Sequence, residues 1–327
     1  MHRINSQTFF SPSDLAEFAA CRHATSLNLV NLDTELKKTE ADETLKILQD
    51  HGDIHEKNYL ARLKQEGRQV VEIPAKLPQP DRHRLTLQAM QQGAEVVFQA
   101  ALEVGPFRGY ADFLLKVDRP SSLGEFSYEV ADTKLASSGK ARHLVQIALY
   151  SDMVEVVQGL APASASLEFG SGKSKSYRLD AYRHYVRRLK SRFLDFVSQR
   201  PKTTPEKCEH CNFCSWKDLC ADDWRNQDHL NQVARISAPQ IRRLREAGIT
   251  TMAELAQASD AVPGMSSFET LRRGVAQSNV AYAPRCLSFH LSGSIRRAID
   301  ESERYRTAAI GIIDHGRSCF EVQWNYF

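Results

Sequence analysis

The sequence predicts an α/β protein built on a mixed sheet flanked by helices, and three observations carry that prediction. Three short segments, "AEVVFQAALEV", "PFRGYADFLLKVD" and "FSYEVADTKLA", are rich in Val, Phe, Tyr and Leu and separated by Gly, Pro or Ser turns, as strands are. Helix-period stretches precede them, and a further helix and strand follow. The 327 residues, 42% hydrophobic, suffice for one sizeable domain and a smaller one.

In chain order, "SPSDLAEFAACRHATSLNL" reads as a helix capped by Ser11 or Ser13, with Cys21 near its end. Residues 44–67 place Leu45, Leu48, Leu60 and Leu63 at roughly helical spacing, with His51 and His55 four apart on one face. A shorter helix is expected near 81–92. After the three strands come a helix near 140–158, a strand "ASASLEFG", a turn, a strand "SYRLD" and a long amphipathic helix over 180–199. "PKTTP" (201–205) is a natural boundary. Beyond it, 236–259 reads as two short helices joined at "AGIT", where Gly248 can take a positive φ. Residues 278–327 have no usable period.

The net charge of +3 is too small to announce a nucleic-acid binder, although "YRHYVRRLKSR" (182–192) and "QIRRLR" (240–245) are locally basic. No apolar run reaches the ~20 residues of a membrane span, and "MHRINSQTFF" lacks the apolar core of a secretory signal. The expectation is a cytoplasmic protein without a membrane partner.

Asp132 and Lys134 lie two apart in a strand, so they share a face while Thr133 points away. A carboxylate and an ammonium on one face suit phosphodiester hydrolysis, where acids hold a hard divalent cation and a cation steadies charge on phosphate. The preceding strand adds Asp112, at a position where a strand ordinarily carries Val or Ile. The helix before it offers His55, with Glu56 beside it and His51 as a rival. Taken singly, D-x-K is more often a surface ion pair, His55 an exposed helix histidine, and Gln146 with Tyr150 a polar edge on a core-facing helix. Their order and combination carry more than any one of them.

The set "GDIHE", "GYAD", "ADTK" and "QIALY" resembles the RecB-like exonuclease branch of the PD-(D/E)xK nuclease superfamily, over roughly residues 8–225. The resemblance implies a restriction-endonuclease-like core over 8–205. Asp112, Asp132 and His55 would bind Mg²⁺ or Mn²⁺, Lys134 would act on the attacking water, and Gln146 and Tyr150 would contact the nucleic-acid strand. The family more often has Glu where this chain has Asp132, a carboxylate one methylene shorter.

Seven cysteines are present, and four follow C-x2-C-x2-C-x5-C at Cys208, Cys211, Cys214 and Cys220. In a reducing compartment such a group suits metal or iron-sulfur ligation. Either the four thiolates hold one structural Zn²⁺, or three of them join a distant cysteine around an iron-sulfur cluster. The resemblance implies the second. Some RecB-like nucleases hold a [4Fe-4S] cluster with one early cysteine and a later C-x2-C-x5-C, here Cys21 with Cys211, Cys214 and Cys220, leaving Cys208 as a possible substitute. Such a cluster would brace the core through a segment at 206–225.

"FGSGKSKS" (169–176) ends like a phosphate-binding loop, but the glycine required five residues before Gly172 is Leu167, so an ATPase is rejected. A helicase, if one takes part, is expected on a separate chain. Residues 230–277 read as a small helical region of helix-hairpin-helix type, and a packing cap is the equal alternative. The expected function is DNA phosphodiester hydrolysis at single-stranded or frayed ends. The alternative is a zinc-containing nucleic-acid-binding module with an inactive nuclease core.

Overall fold

The structure, a computed structural model, describes residues 1–40 and 43–282. The chain divides after Gln227 into two compact units. The first opens with a hairpin, β1 (His2–Ile4) and β2 (Gln7–Phe9), then α1 (Pro12–Ala20), α2 (Arg22–Asn31) and the long α3 (Glu43–Gln65). There follow β3 (Val70–Glu72), α4 (Gln79–Gln91), β4 (Val96–Val104), β5 (Phe107–Val117), β6 (Ser127–Lys134), α5 (Ala141–Gln158), β7 (Ser164–Phe169), β8 (Ser174–Arg178), α6 (Asp180–Gln199) and α7 (Lys217–Asn226).

β3 to β8 form one six-stranded sheet in sequence order. Parallel pairs β3–β4 and β6–β7 flank the antiparallel meander β4–β5–β6, and β7–β8 is antiparallel. The protein is therefore α/β with a mixed sheet flanked by helices. On one face α3 packs Tyr59, Leu60 and Leu63 against Val96, Phe113 and Ala131. On the other lie α1, α4, α5 and α6, joined by aromatic contacts such as Phe10 edge-on to Phe193 at 4.9 Å. The expected helical stripe of α3 holds only in its second half: Leu60 and Leu63 are buried, while Leu48 is exposed.

Local chemistry explains the ends of these elements. Ser11 starts α1 with a capping box, its hydroxyl accepting from the Asp14 amide while Asp14 Oδ2 accepts from the Ser11 amide, and Pro12 occupies the first turn. Gly159, at φ 65°, ends α5 in the left-handed conformation open to glycine.

β4 and β5 do not alternate faces uniformly. Val96 and Phe98 face α3 and Val97 the opposite core, yet Ala100 and Leu102 also join that opposite core. β5 makes the same change of phase: Phe113 faces α3, while Leu114 and Ala111 share the other core. The paired positions step from Phe98–Phe113 to Ala100–Ala111 across Gln99 and Asp112, and Gln99 takes a left-handed φ of 55°.

The second unit contains α8 (Ala238–Glu246), α9 (Met252–Gln257) and α10 (Phe268–Tyr282) around a core with Leu244, Leu255 and Phe268. Gly248, between the first two of these, has φ 82°. The stretch without a usable period, 278–327, lies outside the described residues beyond position 282, as do Cys286 and Cys319. No helix among the described residues is long and apolar enough to cross a membrane.

Candidate functional site

The phase change in β5 turns the Asp112 side chain toward β6 at the point where the two strands part. Their ladder runs from Val117–Ser127 to Phe113–Ala131. Beyond it, β6 stays paired with β7 through Lys134–Phe169, and β5 stays paired with β4. Asp112 fills the fork: its Oδ2 accepts from the Thr133 amide at 2.9 Å and from Thr133 Oγ1 at 3.1 Å. Those donors fix the carboxylate in place of the next rung of the ladder.

Asp132 lies on the neighbouring strand and is 3% exposed. Lys134 Nζ is 2.5 Å from its Oδ2, an ion-pair contact on the shared face of β6. Burial and the nearby Asp112 carboxylate push the Asp132 carboxyl above its ordinary range, and Lys134 pulls against them. For Lys134, burial favours the neutral amine, but Asp132 and Asp112 outweigh it and the net shift is upward.

Glu56 is a third acid of this group, although the sequence pattern marks it only as a neighbour of His55. Gln99, the left-handed residue of β4, donates its side-chain amide to Glu56. Burial raises the Glu56 carboxyl to about 7, with the Asp112 carboxylate adding to the shift and Lys134 opposing it. Three carboxylates therefore stand against one ammonium, and full ionisation leaves two negative charges uncompensated. A donor set dominated by carboxylates, with one imidazole nitrogen available from His55, fits a divalent cation such as Mg²⁺ or Mn²⁺.

His55 sits one position earlier on α3, and its Nε2 is 3.0 Å from the Glu168 carbonyl on β7. A carbonyl only accepts, so Nε2 carries a hydrogen, the orientation that leaves Nδ1 of a neutral imidazole as the ligating atom. His51, the rival on the same helix, is exposed and makes no comparable contact among the described residues.

The two helix residues expected to contact a strand are placed differently. Gln146 donates to Ser13 Oγ at 2.8 Å and lines a surface groove with Arg142, Glu17 and Phe213. Tyr150 is 7% exposed, and burial followed by the Asp112 and Asp132 carboxylates pushes its hydroxyl far above the ordinary range. Its ring closes over Gly109: a Cβ there would meet Tyr150 Oη at 2.7 Å and Pro12 Cδ at 2.9 Å. Tyr150 thus supports β5 three residues from Asp112, and its ring does not face outward.

The five described cysteines converge at one place in the first unit. Cys21 ends α1 and caps α2, with extended φ −153° and ψ 108°, and its Sγ accepts from the Ala24 amide at 3.4 Å. That puts sulfur at a helix N-terminus, which favours negative charge. Cys211 Sγ accepts from the Cys208 amide and Cys214 Sγ from the Trp216 amide, both at 3.4 Å. Burial raises the thiols of Cys21, Cys208, Cys211 and Cys220, the last to about 12, and neighbouring cysteines add to every one of these shifts. Cys21 interacts with Cys211 and Cys214, and Cys220 with Cys21, Cys211 and Cys214. The donor set fits a thiolate-ligated metal, because a cation relieves the repulsion that thiolates this close would suffer. Trp216, 1% exposed, packs on Ala24 and donates to Asn28 Oδ1 at 2.9 Å, locking α2 to this segment.

Beside the sulfurs, Glu17, His210 and Cys214 offer donor atoms all within 4.8 Å of one another. Cys214 and then Glu17 raise the His210 imidazole to about 9. Neither Glu17 nor His210 carries a spacing signal in the sequence. Gln99 does carry one, as the lone polar residue in "VVFQAAL". No family model matches this chain, and no curated protein matches it, so its own residues carry the functional reading.

Proposed function

We propose that this chain is a Mg²⁺- or Mn²⁺-dependent deoxyribonuclease of the PD-(D/E)xK type, in the RecB-like branch with a restriction-endonuclease-like core. Its substrates are single-stranded or frayed DNA ends, met in the cytoplasm during repair, recombination or defence, with any helicase on a separate chain. The observation that carries this reading is the group of Asp112, Asp132 and Lys134 at the fork between β5 and β6, with the Glu56 carboxyl raised by burial and by Asp112.

Asp112, Asp132, Glu56 and, through Nδ1, His55 would hold the cation, which when bound makes water acidic enough to attack and stabilises charge on the phosphate. Thr133 holds the Asp112 carboxylate through two hydrogen bonds, so the ligand is preorganised. Lys134, paired with Asp132, orients the attacking water and steadies negative charge on the scissile phosphate as the bond to the leaving oxygen breaks. Asp112→Ala, Asp132→Ala and Lys134→Ala proteins that remain folded should lose Mn²⁺-dependent DNA hydrolysis, and full activity in all three would refute the assignment.

For the cysteines the reading is a [4Fe-4S] cluster on Cys21, Cys211, Cys214 and Cys220, with Cys208 as the substitute for one of them, acting as a structural brace. One distance favours a second reading. Cys208 and Cys211 Sγ lie 3.9 Å apart, close to the ~3.8 Å between sulfurs in a tetrahedral zinc-thiolate site with ~2.3 Å bonds. A zinc-containing nucleic-acid-binding module with an inactive core would then be the function. Iron and zinc analysis of anaerobically purified protein, with a nuclease assay on the same sample, separates the two.

A further inference from the structure

The basic run at 182–192 has no part in the site above, and α6 sorts it onto two faces. Arg183, Arg187 and Lys190 turn toward the acids of α5: Arg187 approaches Glu155 at 3.8 Å, Lys190 approaches Asp152 at 3.9 Å, and Arg183 acts on Asp152. Tyr185, Arg188 and Arg192, spaced three and four apart, form a second stripe. With Arg22, the first residue of α2, they line a groove of about 440 Å³ whose floor includes Phe18 and Leu189. Among the described residues, no carboxylate pairs with Arg22, Arg188 or Arg192. Tyr185 is 59% exposed.

Fold stability does not account for this groove. Like charges at i and i+4, as in Arg188 and Arg192, destabilise a helix, and a largely exposed tyrosine on a charged face adds little to the core. Guanidiniums that no carboxylate neutralises, beside a largely exposed aromatic ring, are instead what an unpaired nucleic-acid strand requires: charge for successive phosphates and a π-face on which a base stacks; of the three, Arg22 also lies over the Phe18 ring at 5.6 Å. A duplex would offer phosphates but no free base face.

We propose that the groove between α1 and α6 is a second binding site, distinct from the β5–β6 fork, and that its ligand is single-stranded nucleic acid. Arg22, Arg188 and Arg192 hold the phosphates and Tyr185 stacks on a base. The choice of ligand rests on the nuclease reading, but binding in chelator is independent of cleavage. Arg22 directly follows Cys21, so the groove borders the cysteine centre.

The test is fluorescence anisotropy of a labelled oligothymidylate with the full-length protein in EDTA, over a series of salt concentrations. Tyr185→Ala should weaken binding about tenfold. Arg188→Ala and Arg192→Ala should each weaken it and reduce the slope of log K against log salt by about 0.7. Melting temperatures should match the wild type for Tyr185→Ala and match or slightly exceed it for Arg188→Ala and Arg192→Ala, and hydrolysis of a small phosphodiester in Mn²⁺ should match it in all three variants. Wild-type protein that fails to bind the probe, or variants that bind as wild type does, would overturn the groove even if the protein cleaves DNA. Equal weakening of duplex and single strand by Tyr185→Ala would overturn the stacking role. Binding that follows these expectations in a protein that never cleaves DNA would leave the groove standing and remove the nuclease reading.

Discussion

Gly109→Ala tests how the fold sets the position of Asp112. The added Cβ would lie 2.7 Å from Tyr150 Oη, 2.9 Å from Tyr150 Cε1 and 2.9 Å from Pro12 Cδ. Unstrained contacts begin near ~3.5 Å, so the overlap is about 0.6–0.8 Å. Tyr150 is buried on α5 and Pro12 opens α1, and neither can retreat into solvent. Overpacking of this kind costs about 1–3 kcal/mol, and the narrower unfolded ensemble of alanine returns about 0.4–1 kcal/mol. The net loss of about 1–2 kcal/mol corresponds to a melting point lowered by roughly 2–8 °C in a unit of this size. The least costly relief moves β5 away from α5, and Asp112 moves with it. Misplacement of about 1 Å costs on the order of a hundredfold in rate. Calorimetry and a Mn²⁺-dependent cleavage assay measure the two effects. Tyr150→Phe in the same chain removes the oxygen overlap and should recover part of the stability, a coupling that a double-mutant cycle reports. A Gly109→Ala protein whose melting point equals that of the wild type, with no coupling to Tyr150→Phe, would refute the packing described for this strand.

Asp132→Asn should raise the melting temperature in EDTA, because burial and the Asp112 carboxylate disfavour the Asp132 charge more than Lys134 favours it, and should abolish the stabilisation that Mn²⁺ gives the wild type. Cys21→Ser should lower the melting temperature and the bound iron or zinc together, since the link to Cys214 closes a loop of roughly 190 residues worth up to about 5 kcal/mol. His143→Gln addresses pH. Burial first, then Lys134, lowers the His143 imidazole to about 4 from an ordinary 6.5. Between those values the unfolded chain binds the proton that the folded one refuses, so wild-type stability falls as pH drops from 6.5 toward 4. The variant keeps a polar acceptor at this helix start and should lose about 1–2 kcal/mol less over that interval, which melting curves at about pH 7 and about pH 4.5 would show; equal losses would exclude His143 as the source.

The strands from 94 to 136 are legible in the sequence because short apolar runs between Gly, Pro and Ser turns have few other structures open to them. The β1–β2 hairpin is not: it is polar, and its turn rests on Asn5 at φ 46°. Nor is the fork. Alternation predicts that Asp112 and Leu114 share a face, and only the paired phase change at Gln99 and Asp112 turns the carboxylate toward Thr133. Glu56 is hidden for a related reason. Adjacent helix residues point about 100° apart, so the rotation of α3 decides how Glu56 stands to the acids, and its apolar pattern is blurred by exposed residues such as Ile47, Leu48 and Ile54. The cysteine spacing is plain in the sequence, but the role of Cys21 as a joint between two helices emerges only from the packing.

The seat of Trp216 against α2 has a consequence for biosynthesis. Ala24 and Asn28 acquire their burying partner only when residue 216 has been made. At translation rates of ~5–20 residues per second, roughly 10–40 seconds separate the two segments. The sheet, whose strands pair in sequence order, can assemble during that interval, with Leu29 of α2 joining its core, whereas the Ala24 face of α2 waits for Trp216. The Ala24–Asn28 face of α2 is therefore among the last parts of the first unit to reach its final packing, and a nascent chain halted before Trp216 should expose that face to chaperones and proteases.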